Sequence, residues 1–401
     1  MESFDQIVAQ FVTPSDSNRR PLQGPITLGA VNKEDTFEYV KSFGCANDEN
    51  VEQPSGDPIY GIASCTKLIT TIAVLQCVEK GLLALDGDIS EVLREWENPK
   101  ILVKFDKGGE PVLEDSKGVI TLRQLLTHSS GMAYGFESMH PDLARFQELR
   151  NRKTREGRTV EESFEPVLIH HPGEQWEYSP GIDWAGKMVE RVNGDMKLGE
   201  YMQRHIFDPL GIRDMTFSIS ARQDMQCRLV QCWERSETGG MKKAHYSMRP
   251  QPVEEHFGGG GLYASAIDLL KVYRAILQKD CRILGEEMVD LMFTPQLQHT
   301  IGLDNLANCP PSYTNSILNS VPSTIPINFG LGGLLNLQSV VGRRGSHSLT
   351  WSGVANCYWW IDPQNGIAGV YLSQLLPPGE PEAVELLSKF EETVYSFIAG
   401  K

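Results

Sequence analysis

The sequence predicts an α/β (α+β) protein whose two ends build one sheet, with a mostly helical region inserted between them. Three observations predict it. Strand-like runs occur at 25–31 and 36–40 and then, after a long gap, between 338 and 372. Helical periodicity dominates the interval from about 97 to 320, and a last amphipathic stretch, Pro381 to Ala399, closes the chain. The expected organisation is a sheet domain made from 1–96 and 321–401, with 97–320 as the insertion.

In chain order, residues 1–20 read as a helix carrying Phe4, Ile7, Val8, Phe11 and Val12 on one side, followed by a polar turn. Pro25 to Val31 and Thr36 to Val40 flank a polar turn and suggest a hairpin. Tyr60-Gly61-Ile62 leads into a helix whose apolar face holds Leu68, Ile69, Ile72, Ala73, Leu75, Cys77 and Val78, and Gly81 ends it. A short helix is expected from Ser90 to Trp96. Helical segments come next near 121–127, 141–152, 182–193, 197–206, 266–279 and 285–293. The stretch 234–258 reads as polar and irregular, and 294–328, rich in Asn, Pro and Ser, as loop. Strands are expected at 338–341, 348–351, 356–361 and 367–372. No internal repeat or low-complexity tract is visible.

A chain of 401 residues can bury a sizeable core, and its 40% apolar and 22% charged residues are ordinary for a globular protein. The net charge of −15 argues against a nucleic acid or an anionic membrane surface as partner, since both require clustered Lys and Arg. No apolar run is long enough for a membrane span, and Met1 to Gln6 show no secretory signal, so a cytoplasmic location is expected. The eight cysteines are scattered without a Cys-x-x-Cys pair, which favours reduced thiols over a disulfide framework. Neither metal nor cofactor is expected. His128 and the His170–His171 pair lack zinc-protease spacing, and Gly258 to Gly261 lacks the Lys-Ser/Thr of a phosphate loop. Gly330 to Gly333 fails the dinucleotide spacing, and Gly-x-Ser-x-Gly does not occur.

The chemistry concentrates at Ile62-Ala63-Ser64-Cys65-Thr66-Lys67. Ser64 and Lys67 stand three apart at a helix start, which places the amine within reach of the hydroxyl. A serine hydroxyl needs such a base to become a nucleophile, and the unpaired N–H groups of a helix start favour an oxyanion. Alone, the pair is a common coincidence; it gains weight from stretches further along the chain.

Ser64-x-x-Lys67 is the active-site motif of penicillin-binding proteins and serine β-lactamases, and four later stretches resemble that superfamily in the expected order. Leu125 to Met132 resembles the LLTHTSGL segment of its class C β-lactamase-like esterase branch. Pro172 to Ser179 resembles the segment carrying its catalytic tyrosine. Pro209 to Phe217 and Gly258 to Ser265 resemble two further family segments. Asp183 to Arg191, Phe329 to Gly333 and Trp359 to Pro363 are most similar to the fungal lovastatin-type side-chain transesterase subgroup. The resemblance spans about 60–390. It implies a β-lactamase/transpeptidase-like fold with an antiparallel sheet flanked by helices, and a covalent acyl-enzyme on serine.

Carried over by position, the resemblance makes Ser64 the nucleophile and gives the general-base work to Lys67 and Tyr178. An amine packed beside a phenol in a partly dry pocket has its ammonium disfavoured, so Lys67 could accept the Ser64 proton and Tyr178 relay it to the leaving group. Away from its motif, Tyr178 reads as an ordinary buried tyrosine. The oxyanion hole would be the backbone N–H groups of Ser64 and Val354, with the third family motif at Trp351-Ser352-Gly353. Trp351, Ser352, Gly353, Gly259 and Gly260 would line the substrate. Two departures stand out. Trp351 replaces the Lys of the β-lactamase Lys-Thr-Gly, and Pro180 replaces the Asn of Tyr-x-Asn. Both weaken β-lactam recognition, and Trp351 favours an apolar acyl chain.

The expected function is ping-pong transfer of an acyl group from a (thio)ester donor to an alcohol or amine of a small natural product in secondary metabolism. An acyl carrier protein is one candidate for presenting the donor. Hydrolysis through the same acyl-enzyme is the second reading. A catalytically silent binding protein on the same scaffold is the third, and the complete Ser64–Lys67–Tyr178 set argues against it.

Overall fold

The computed structural model describes residues 2–12, 21–22, 24–44, 56–152, 157–236, 239–244, 248–304 and 306–400. The polar turn expected after the first helix and Cys45 lie outside them. Twelve elements frame the site. Helix α1 is Glu2–Val12, and strands β1 (Ile26–Asn32) and β2 (Glu38–Phe43) form the expected hairpin. Helices α2 (Thr66–Glu79), α3 (Gly181–Val192) and α4 (Ala266–Gln278) come next. Strands β3 (Ile327–Phe329), β4 (Leu334–Asn336), β5 (Ser348–Gly353), β6 (Cys357–Asp362) and β7 (Ile367–Leu372) precede helix α5 (Pro381–Ala399).

The seven strands make one sheet in the order β3-β4-β5-β6-β7-β1-β2, with every neighbouring pair antiparallel. The two chain ends meet where β1 joins β7, so the sheet closes only when residues more than three hundred apart in sequence pair. Side chains alternate across it. Phe4, Val8 and Phe11 of α1 and Leu386, Phe390 and Val394 of α5 pack on one face with Tyr358, Trp360 and Tyr371. Trp351, Trp359 and Val370 point to the opposite face, toward α2 and α4. Trp360 needs a glycine opposite it: a Cβ at its register partner Gly369 would lie 2.1 Å from the indole. The four aromatic residues around 351–360 therefore divide between the faces as strand alternation requires.

Helix α2 departs from the amphipathic expectation. Every residue from Thr66 to Cys77 is buried, polar ones included, because the sheet covers one side and α3 the other. The interval 97–320 is also less uniform than its periodicity implies. It contains a hairpin, Lys100–Phe105 with Pro111–Asp115, extended by Val167–Leu168 into a small sheet. Another short hairpin, Trp233–Arg235 with Met241–Lys243, interrupts the stretch read as irregular. Helix α4, from the same interval, packs directly on the main sheet; Leu270 approaches Gly29 so closely that a Cβ there would fall 2.7 Å from its Cδ1.

Two expectations near the C-terminal strands are corrected. Residues 338–341 are not a strand: Val340 and Arg343–Arg344 close a tight turn, Gly342 has φ +72°, and Val341 is almost wholly exposed. The strand lies just before, at β4. Residues 311–318, read as loop, form the helix Pro311–Leu318, with proline at a first-turn position where its missing N–H costs nothing. The Ser90 to Trp96 helix is two separate single turns, Ile89–Glu91 and Arg94–Trp96. Among the described residues, no helix is long and apolar enough to cross a membrane.

Candidate active site

The site is built around a sharp strand-to-helix junction. Tyr60–Gly61 pairs with Tyr263–Ala264, and the Ile62 N–H donates to the Leu262 carbonyl at 3.0 Å. The chain then turns at Ala63, whose φ of +43° is the left-handed region, strained for a residue with a Cβ. Its N–H points at Met248 Sδ, 3.2 Å away. A single turn, Ala63–Cys65, runs straight into α2, so half-buried Ser64 sits at the helix start with its N–H among the unpaired ones.

Lys67, one helical turn on, is 1% exposed. Its Nζ donates to Ser64 Oγ at 3.3 Å, to Tyr134 Oη at 3.2 Å and to the Gly259 carbonyl at 2.6 Å. The amine thus has three acceptors, one for each ammonium proton, and none is a carboxylate. The Tyr178 hydroxyl donates to Ser64 Oγ at 2.6 Å, and Lys67 Nζ lies 5.0 Å from the centre of the Tyr178 ring. Ser64, Lys67 and Tyr178, drawn from two regions of the chain more than a hundred residues apart, converge on one oxygen. That convergence is what nucleophilic activation requires.

An aromatic wall surrounds Tyr178. Trp351, 1% exposed, has its ring 5.3 Å from that of Tyr178, and Trp176 and Phe329 pack against both tryptophan and His128. His128 lies 4.9 Å from Tyr178, with its Nδ1 3.0 Å from Ser179 Oγ and 3.3 Å from the Ser179 nitrogen. Burial, reinforced by the charge of Lys67, holds the His128 imidazole well below its ordinary value, so it is a neutral member of the wall.

The third motif reaches the nucleophile through its glycine. A Cβ at Gly353 would lie 2.2 Å from the Ile62 carbonyl and 3.3 Å from Cys65 Sγ, so only glycine lets the end of β5 abut the turn bearing Ser64. Val354 is the next residue. Ser352 uses its hydroxyl on the Ser316 carbonyl at 2.6 Å, tying β5 to the 311–318 helix. Gly260 faces Ala63, with 3.8 Å between a Cβ built on it and the nearest backbone atom there. Gly259 enters the site by a route the sequence did not suggest: its carbonyl holds Lys67, and its N–H donates to Asp183 Oδ1 at 2.8 Å.

Tyr134 and Asp183 were missed as site residues. Tyr134 accepts from Lys67 and donates to Asp183 Oδ2 at 3.3 Å. Asp183 is 2% exposed in the first turn of α3. Burial pushes its carboxyl up, opposed first by Lys67 and then by Arg249. The one available signal was the position of Asp183 at the head of a stretch shared with the transesterase subgroup; Tyr134 had none beyond its place just after Leu125 to Met132.

Known proteins resemble this chain in sequence and in fold. The family described as Beta-lactamase matches residues 27–392. The ML-236A carboxylate methylbutanoyltransferase of Penicillium citrinum is 34% identical, over 90% of this chain and 87% of its own. The lovastatin esterase of Penicillium rubens is 36% identical, over 91% and 92%. The unliganded simvastatin synthase of Aspergillus terreus superposes with a TM-score of 0.85 at 30% identity, over the whole of this chain and 98% of that one.

Proposed function

The chain belongs to the Beta-lactamase family, and from that premise we propose that it transfers an acyl group from a (thio)ester donor to a hydroxyl or amine of a small, polyketide-like natural product through an ester on Ser64. It has the β-lactamase/transpeptidase-like fold of the simvastatin synthase and is a serine acyl-transfer enzyme. The observation carrying the residue assignment is the placement of Tyr178 Oη and Lys67 Nζ at 2.6 and 3.3 Å from Ser64 Oγ.

In this reading Ser64 Oγ attacks the donor carbonyl as its proton passes to the Tyr178–Lys67 pair. The N–H groups of Ser64 and Val354 hold the oxyanion, an assignment supported by the abutment of Gly353 on the Ile62–Cys65 turn. Collapse breaks the donor C–S or C–O bond, and the departing thiolate or alkoxide recovers the proton. The acceptor hydroxyl then attacks the acyl carbon as its proton passes to the same pair; the Ser64 Oγ–acyl bond breaks, and the pair returns that proton to Ser64 Oγ. Trp351 and its aromatic neighbours back Tyr178 with an apolar wall, the basis for proposing an apolar acyl chain, and Gly260 faces the Ala63 turn. Relatives named as methylbutanoyltransferases support a short branched acyl chain as the group transferred. A carrier protein is one proposed source of the thioester. The proposed cytoplasmic location rests on cysteines scattered along the sequence without the spacing of a disulfide framework.

Hydrolysis is the second reading, favoured by the relative named as an esterase at 36% identity. Incubating the protein with 2-methylbutanoyl thioester and a panel of hydroxylated polyketides, with product mass as the readout, separates the two. Acylated acceptor, absent with Ser64→Ala, supports transfer; free acid alone, regardless of acceptor, favours the esterase. Product formation by Ser64→Ala would overturn the assignment of the nucleophile.

A further inference from the structure

Among the described residues, no carboxylate contacts the buried amine of Lys67, and the buried carboxylate of Asp183 stands directly behind two of its three partners. We propose that Asp183 is a positioning residue for acyl transfer, fixing through the Tyr134 hydroxyl and the Gly259 peptide both neutral acceptors that hold Lys67 against Ser64. The proposal rests on Ser64 and Lys67 being the reacting pair.

The geometry is a closed loop of hydrogen bonds. Asp183 Oδ2 accepts from Tyr134 Oη at 3.3 Å, and Tyr134 Oη accepts from Lys67 at 3.2 Å. Asp183 Oδ1 accepts from the Gly259 N–H at 2.8 Å, and the Gly259 carbonyl accepts from Lys67 at 2.6 Å. Each oxygen of one carboxylate therefore orients one acceptor of one amine. Both groups facing Asp183 are donors, the arrangement of an ionised carboxylate. Glycine at 259 is required for the approach, because a Cβ there would fall 2.2 Å from Asp183 Oδ2. Direct contact would lock Lys67 into a salt bridge. An intervening hydroxyl and peptide fix the position of Nζ while leaving its proton free to move. The charged and titratable groups sharing this space are Lys67, Arg249, Tyr134, Tyr178 and His128.

The test uses the full-length protein, its Asp183→Asn and Tyr134→Phe variants, and Ser64→Ala as control. Single-turnover acylation by an acyl thioester, donor KM, the pH profile of kcat/KM and the melting temperature are read together. Loss of alignment of a reacting group predicts acylation at least about tenfold slower in Asp183→Asn with donor KM within about twofold. The acidic limb should move to lower pH, because a negative charge that opposes proton loss from the reacting groups is gone. Tyr134→Phe cuts one path and leaves the other, so its acylation should slow by a smaller factor at unchanged KM. An Asp183→Asn protein with normal acylation rate and pH limb, whatever its melting temperature, overturns the proposal and leaves Asp183 structural. If Asp183→Asn does not fold, Tyr134→Phe decides: slowed acylation at constant KM supports the positioning role, and an unchanged rate refutes it. Acylation of Ser64→Ala would instead refute the underlying assignment of the nucleophile.

Discussion

The two faces of the sheet each bury a cation, and they satisfy it in opposite ways. On the face covered by α1 and α5, Arg344 (1% exposed) meets Glu391 (0%) through two of its nitrogens, and Ser320 Oγ donates to the same carboxylate. On the face covered by α2, Lys67 meets only a serine, a tyrosine and a peptide carbonyl among the described residues. Buried charge is costly in both places, and a direct ion pair is the usual way to offset it. A directly paired arginine has no reason to change its protonation state. An amine held by neutral oxygens, with its carboxylate one group removed, is positioned without being committed to the charged form. The contrast separates a cation kept for architecture from one kept for proton transfer.

Three substitutions sharpen or break that contrast. Lys67→Met removes the catalytic cation at nearly constant volume. Turnover should fall by about three powers of ten or more, with the melting temperature read beside it to show that the variant folds. A normal rate would erase the distinction between the faces. Glu391→Gln should do the reverse. Leaving Arg344 buried and unpaired should cost about 3–5 kcal/mol of stability in denaturant titration, with turnover per folded molecule unchanged. Lost activity in the folded protein would mean that the architectural face reaches the chemistry. The smallest effect is expected from Tyr178→Phe: unaltered folding, with acylation slower by about two powers of ten, the usual loss for a general base. A near-normal acylation rate would leave the work to Lys67 alone.

The catalytic face was also the more legible one, for a physical reason. Ser64 and Lys67 are one helical turn apart, so local geometry alone brings them together, and Tyr178 lies in a short segment whose residue types recur with the chemistry. Tyr134 and Asp183 are joined to Lys67 only by tertiary packing, across 67 and 76–192 positions of chain through Gly259, and no periodicity encodes such a contact. The fold shows the same division. Strands β5 to β7 and helix α5 were evident because continuous apolar runs between turns and amphipathicity are local signals. The Lys100–Asp115 hairpin was hidden by its charged outward residues. The true strand β4 is three residues long beside a Val340–Val341 pair with the stronger strand propensity, yet Gly342 turns that pair out into solvent. The helix 311–318 lay under a Pro-Pro start that reads as loop until its first-turn position is known.

The most direct measurement is intact-protein mass spectrometry after brief exposure to 2-methylbutanoyl thioester, with peptide mapping of the adduct. The account predicts one added acyl group, located on Ser64, lost on addition of acceptor, and absent from Ser64→Ala. An acyl group found on any other residue, or turnover by the full-length protein with no Ser64 adduct and unimpaired by Ser64→Ala, would contradict it.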